Sequence, residues 1–220
     1  MSVYLFDFDG TLVDSMPVYG ATVLRVLEEC RVSYPTNVVK IVTPLGLLGA
    51  AEYFVRELGV TRSCEEIVAM MTEYMKEEYT YRVPAKAHVA DTLRALRARG
   101  DCLAVLTASP HVTLDPCLKR LGLYDLFEKV WSCEDFATTK ADPRIYEMAA
   151  ERLGVPVEEM IFLDDNYNAD LTAKQAGARV FGVFDDSSAD MEAQIRGISE
   201  RYIRDFSELF EILAEIVKKM

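Results

Sequence analysis

Two aspartates one residue apart, Asp7 and Asp9, followed at once by Gly10 and Thr11, end the first apolar run of the chain, Val3-Tyr4-Leu5-Phe6. Acids in this pattern are ill placed inside a strand covered on both faces. At the strand's end, one can attack an electrophile while its neighbour handles protons. Gly10 lets the backbone turn closely around a bound anion. The same letters also spell an ordinary Asx–Gly turn, so the chemical reading depends on partners later in the chain.

Three later clusters supply such partners. Thr107, Ala108 and Ser109 follow the apolar run Cys102–Leu106 and precede a helix, where hydroxyls and backbone N–H groups suit a phosphate oxygen or a plain N-cap. Lys140, in TTKADP, is a single lysine just before another helix start. Asp164 and Asp165 close the run Met160–Leu163. Two carboxylates about 4 Å apart repel by about 4 kcal/mol at an effective dielectric of 20, so the pair calls for a counter-ion. A hard cation with oxygen ligands such as Mg²⁺ offsets that repulsion and can bridge to a phosphate. Asp170, five residues after Asp165, either supports this site or caps the helix that follows.

The elements that must position these residues follow from periodicity. Val3–Phe6, Cys102–Leu106, Lys129–Ser132, Met160–Leu163 and Arg179–Phe184 read as buried strands. Between them, helices are expected over His88–Arg99, Val112–Leu121, Pro143–Leu153 and from Asp165 to Ala176, with a last one over Phe206–Val217. Residues 15–83 have a different texture: helical spacing from Pro17 to Cys30, then Val38–Val42, Ala50–Leu58 and Cys64–Tyr81, the last opened by a Ser63/Glu66 capping box. Alternating strand and helix predicts an α/β fold, a Rossmann-like parallel sheet with helices on both faces. The expected domains are a core from residues 1–14 and 84–220 and a small all-helical cap from residues 15–83.

Composition narrows the partners. A chain of 220 residues with a net charge of −12 lacks the basic stripe that nucleic-acid binding needs. An anionic small-molecule substrate would need local cations, namely a divalent metal and a lone lysine. Five scattered cysteines without a CxxC pair indicate thiols in a reducing cytoplasm, and no signal peptide or membrane span is expected. A monomer is expected, with a dimer as the alternative, because no long hydrophobic surface run demands a partner.

DFDGTLVDS resembles the first signature of the haloacid dehalogenase superfamily, and the later clusters resemble its remaining motifs in order: LTAS, the K-x-D-P form at Lys140, and the acid pair in FLDDNYNAD. The resemblance spans nearly the whole chain, with residues 15–83 where the superfamily's C1 cap lies, near phosphoglycolate phosphatases and β-phosphoglucomutases. It implies a phosphomonoester hydrolase for a small phosphorylated metabolite, with Asp7 as nucleophile forming an aspartyl-phosphate and Asp9 as general acid and base. It also implies Mg²⁺ on Asp7, the Asp9 carbonyl and Asp165, with Asp164 nearby, and phosphoryl oxygens held by Lys140, Thr107, Ala108 and the backbone near Gly10. A phosphomutase uses the same residues and remains the alternative. A phospho-receiver domain carries a similar acid cluster but normally places its acid pair on the first strand and its phosphorylated aspartate on a later one, without a cap. Metal-free dehalogenases lack the second aspartate that Asp9 supplies. Within the cap, Thr43–Gly49 reads as an uncharged apolar loop without the basic residue expected for a sugar-phosphate or carboxylate ligand.

Overall fold

In the computed structural model, which describes residues 2–210, the short apolar run Val3–Phe6 is a fully buried strand, β1. It lies inside a six-stranded sheet with β2 (Cys102–Thr107), β3 (Lys129–Ser132), β4 (Met160–Asp164), β5 (Arg179–Val183) and β6 (Arg201–Ile203), in the order β3-β2-β1-β4-β5-β6. Every pairing is parallel. The register sets Phe6 opposite Val105 on one side and Leu163 on the other, so the ends of three strands share one edge of the sheet. Asp7 extends that alignment by one residue, its N–H donating to the Leu163 carbonyl at 2.8 Å.

Alternation along β1 divides the core. Val3 and Leu5 pack with Ile145, Tyr146, Ala149, Ala169 and Ala173, which belong to α7 (Arg144–Leu153) and α8 (Tyr167–Gln175). Tyr4 and Phe6 point the other way, and the Phe6 ring meets Phe127 and Phe206. Thr92 of α5 (Val89–Ala98) donates to the Phe206 carbonyl on that second face. Both faces are therefore covered, as strands apolar at every position require.

The chain divides into two units, Met1–Asp14 with Pro84–Met220, and Ser15–Val83. Where the first unit is interrupted, Val13 and Ala85 form an antiparallel bridge and Lys86 N–H donates to the Leu12 carbonyl. The second unit holds α1 (Met16–Cys30), α2 (Val38–Val42), α3 (Gly46–Arg56) and α4 (Cys64–Tyr81). Its core comes from Val23, Val26 and Leu27 of α1, Phe54 of α3, and Ile67, Met71 and Met75 of α4. The capping box at α4 is present in both directions, with Glu66 N–H on Ser63 Oγ at 3.2 Å and Ser63 N–H on Glu66 Oε2 at 2.8 Å.

Two local expectations are corrected. Thr43–Gly49 is not an open loop: Thr43–Leu45 is a 3₁₀ turn running into α3, which begins at Gly46, four residues before the expected start. Thr43 Oγ1 donates to the Val39 carbonyl and Tyr19 Oη to the Val42 and Gly46 carbonyls, so the polar backbone there is satisfied in helical form. The sheet also gains β6 and, before it, the short helix α9 (Glu192–Ile198). Of the expected C-terminal helix Phe206–Val217, residues 207–210 are helical and the rest lies outside the described residues. Among the described residues no helix is long and apolar enough to cross a membrane, and all five cysteines are free thiols.

Candidate active site

The edge shared by β1, β2 and β4 collects the sequence-selected residues. Asp7 leaves the end of β1 and is almost wholly buried. Lys140 reaches it from the loop before α7, donating from Nζ to Asp7 Oδ1 at 2.7 Å and to Asp164 Oδ2 at 2.6 Å. Asp164 Oδ1 accepts the Asn166 N–H at 2.8 Å, so both of its oxygens are engaged. Its neighbour Asp165 accepts from the Thr11 hydroxyl at 3.2 Å. One oxygen from each of Asp7, Asp164 and Asp165 lies within 4.8 Å of the others.

Gly10 belongs to the same cluster because of what it lacks. Its φ is +73°, and a Cβ built there would stand 2.7 Å from Asp165 Oδ2. The Gly10 N–H donates to the Val13 carbonyl at 3.0 Å, so that amide is spent inside the turn rather than facing a ligand. The residue's contribution is a left-handed turn that lets the Asp165 carboxylate sit on bare backbone.

Beside β1, the end of β2 presents Thr107, Ala108 and Ser109. Thr107 Oγ1 accepts the Ser109 N–H at 3.0 Å, and Ser109 Oγ donates to Asp9 Oδ2 at 2.5 Å. Ala108 is exposed between two buried neighbours. Asp9 is thus oriented from β2, while Asp7 is held from the loop before α7.

The electrostatics are lopsided. Burial is the main force raising the Asp7 and Asp165 carboxyls above the usual range, and Asp164 adds to it in both cases; Lys140 pulls Asp7 back down. Asp170, in the first turn of α8, is pushed the same way by burial and by Asp164, and neither of its oxygens has a hydrogen-bond partner. Burial works against the charge of Lys140, but Asp164 and Asp7 outweigh it and hold the ammonium well above its ordinary value. Of these four buried carboxylates, Asp7 and Asp164 bond Lys140, and no hydrogen bond joins it to Asp165 or Asp170. An all-oxygen donor set of this charge, with an unsatisfied carboxylate behind it, fits a hard divalent cation better than a soft one.

Two groups escaped the sequence reading. Lys86 donates to the carbonyls of Gly10 at 2.6 Å and Phe184 at 2.5 Å and to Asp185 Oδ2 at 3.1 Å. Asp185 follows β5 as Asp165 follows β4, so an acid pair after an apolar run was a usable signal for it; Lys86, alone in a loop, carried none.

His111, at the start of α6 (His111–Arg120), lies between Asp115 Oδ1 at 2.8 Å and Asp135 Oδ2 at 2.9 Å. Partial burial opposes its charge, but the two carboxylates prevail and its pKa is raised. A histidine with a raised folded pKa contributes stability that is full below the unfolded value, near 6.5, and is lost as pH rises through the folded one. In thermal melts, His111→Gln should therefore lose less stability than wild type as pH rises above about 6.5. Parallel profiles would contradict a charged bridge.

A family model for haloacid dehalogenase-like hydrolases matches residues 4–183. The chain is a haloacid dehalogenase-like hydrolase. Among relatives of this hydrolase, the pyrophosphatase PpaX of Bacillus velezensis is 28% identical over 183 residues, 83% of each chain. A phosphoglycolate phosphatase of Escherichia coli is 30% identical over 203 residues, covering 81% of this chain and 79% of its own. In fold, the hydrolase superposes on CbbY of Rhodobacter sphaeroides, solved with xylulose-(1,5)bisphosphate, with a TM-score of 0.83 and 22% identity over 95% of this chain and 96% of that one. Family membership removes the phospho-receiver alternative and makes the chain an enzyme whose relatives are phosphatases.

Proposed function

We propose that this hydrolase is a Mg²⁺-dependent phosphomonoesterase for a small phosphorylated metabolite, working through an aspartyl-phosphate on Asp7. The observation that carries the reading is the pairing of Asp7 with Lys140 at 2.7 Å, beside Asp165 and the Asp9–Ser109 bond, on one sheet edge. The names of the phosphatase relatives support the substrate class.

In this reading an Asp7 carboxylate oxygen attacks phosphorus, and the bond between phosphorus and the ester oxygen breaks. Asp9 acts as general acid and gives a proton to the departing oxygen, its Oδ2 held by the Ser109 hydroxyl. The resulting Asp9 carboxylate then takes a proton from water as its oxygen attacks phosphorus, the Asp7–phosphorus bond breaks, and inorganic phosphate leaves. Lys140 neutralises Asp7 on approach, and with Thr107 and the Ala108 amide it binds the phosphoryl oxygens. The metal would be held by Asp7, the Asp9 carbonyl and Asp165, with Asp164 fixing Lys140 and Asp170 behind; when bound it neutralises charge on the phosphoryl group. Free thiols at all five cysteines fit a cytoplasmic enzyme.

Hydrolysis of p-nitrophenyl phosphate, after chelation and again after adding Mg²⁺, tests the reading. Turnover should vanish with chelator and return with Mg²⁺, and Mg²⁺ should raise the melting temperature of the chelated protein by mass action. Equal turnover in both conditions, or an unchanged melting temperature, would contradict it.

A substitution at the turn probes the same site without touching a carboxylate. Gly10→Ala must accept φ +73° and push the Asp165 carboxylate aside. Displacement on this scale should cost roughly 10²-fold in kcat and weaken the Mg²⁺ response. Wild-type kinetics in this variant would show that Asp165 need not lie on the Gly10 backbone.

A further inference from the structure

The contacts of Lys86 are of an unusual kind: two backbone carbonyl oxygens and one carboxylate converge on its ammonium, matching its three N–H donors. The Gly10 carbonyl belongs to the turn that carries Asp9 and receives Asp165. The Phe184 carbonyl and Asp185 belong to the end of β5, two strands away in the sheet. Without a cation the three oxygens would face one another across the gap and repel.

We propose that Lys86 is a positioning residue for the hydrolysis, a tethered cation that pins the turn after the nucleophile strand to the end of β5. Asp185 is itself held in place, because its Oδ1 accepts from Ser187 N–H at 3.0 Å and Ser187 Oγ at 2.7 Å, which leaves Oδ2 for Lys86. Both partners are largely buried, with 17% and 7% of their side chains exposed, so the contact is not a loose surface pair. Alongside lies a cavity of about 240 Å³ lined by Asp14, Lys86, Phe184, Asp185 and Asp186. Its three acids would draw a small organic cation to the place that a truncated Lys86 leaves open. Lys86 is not among the groups proposed to touch substrate or metal, so its removal should loosen the turn and lower kcat more than it raises KM.

The inference rests on the proposed phosphatase reading, and chemical rescue keeps the two separable. Lys86→Ala and Lys86→Met should both fold, with kcat for p-nitrophenyl phosphate down roughly 10²-fold and KM within about threefold of wild type. Ethylammonium should restore Lys86→Ala by about tenfold or more, and tetramethylammonium at equal ionic strength should not, because it has no N–H to donate. Lys86→Met, whose side chain fills the space, should not respond. Without substrate or metal, ethylammonium should raise the melting temperature of Lys86→Ala above that in tetramethylammonium, a readout that survives if the wild type proves not to hydrolyse phosphomonoesters. Should either lysine variant fail to fold, Asp185→Asn, which keeps the oxygen that binds Ser187, should lower kcat about tenfold at unchanged KM. A wild-type kcat in the variant that folds, or equal rescue and equal melting shifts from the two cations, would overturn the proposal.

Discussion

Asp7→Asn should fold as the wild type does and turn over no phosphomonoester, with kcat lower by about 10⁴-fold or more, the scale seen when a covalent nucleophile is removed. The amide keeps the shape of the carboxylate and can still accept from Lys140, which now donates at 2.7 Å. It cannot supply the oxygen nucleophile. Its neutrality also relieves a cost, because burial, with the Asp164 carboxylate, disfavours a charge at this position by more than Lys140 favours it. The metal-free variant should accordingly melt no lower than the metal-free wild type, so lost activity cannot be ascribed to lost structure. Steady-state kinetics beside thermal melts in chelator check both halves. Activity within tenfold of wild type would remove Asp7 from the chemistry.

Lys140→Met carries the second large effect, in stability as well as rate. Among the described residues the lysine is the one cation bonded to both Asp7 and Asp164, and only 14% of its side chain is exposed. Breaking a buried ion pair by deleting one partner typically costs about 3–5 kcal/mol, so metal-free Lys140→Met should melt well below wild type. Loss of charge neutralisation at the phosphoryl group should lower kcat by roughly 10²–10³-fold. Because lysine and metal answer the same negative charge, Mg²⁺ should raise the melting temperature of the variant by more than it raises that of wild type. A smaller Mg²⁺ shift in the variant would mean that Lys140 helps to build the metal site instead of sharing its load.

Strand ends were the most legible part of this molecule. Val3–Phe6 and Lys129–Ser132 are strands at the expected residues, because a short apolar run bounded by turn residues admits few alternatives. The parallel register then brings Asp7, Thr107 and Asp164 to one edge, which the order of motifs alone had suggested. By contrast, β6 is three residues long at the edge of the sheet and buries only Ile203, too little for a periodic signal. The helix α9 likewise buries one residue, Ile195, whose Cγ2 would lie 2.3 Å from a Cβ on Gly182. That close approach was visible in the sequence only as a glycine within a strand. The start of α3 was misread because Gly46 and Gly49 argue against helix locally, whereas the Tyr19 hydroxyl bonds that support it come from a distant part of the chain. Lys86 was illegible for the same reason: its partners lie 76, 98 and 99 residues away.

The nucleophile is the centre of the account, and its covalent intermediate can be observed directly. Protein quenched in acid during turnover of a phosphomonoester with Mg²⁺, then analysed by intact and peptide mass spectrometry, should carry one phosphoryl group, on the peptide containing Asp7. The group should be absent from Asp7→Asn and should disappear when substrate is exhausted. A wild-type enzyme that hydrolyses the ester rapidly yet shows no adduct at any quench time, or carries it on another residue, would contradict the assignment of Asp7 as the attacking carboxylate.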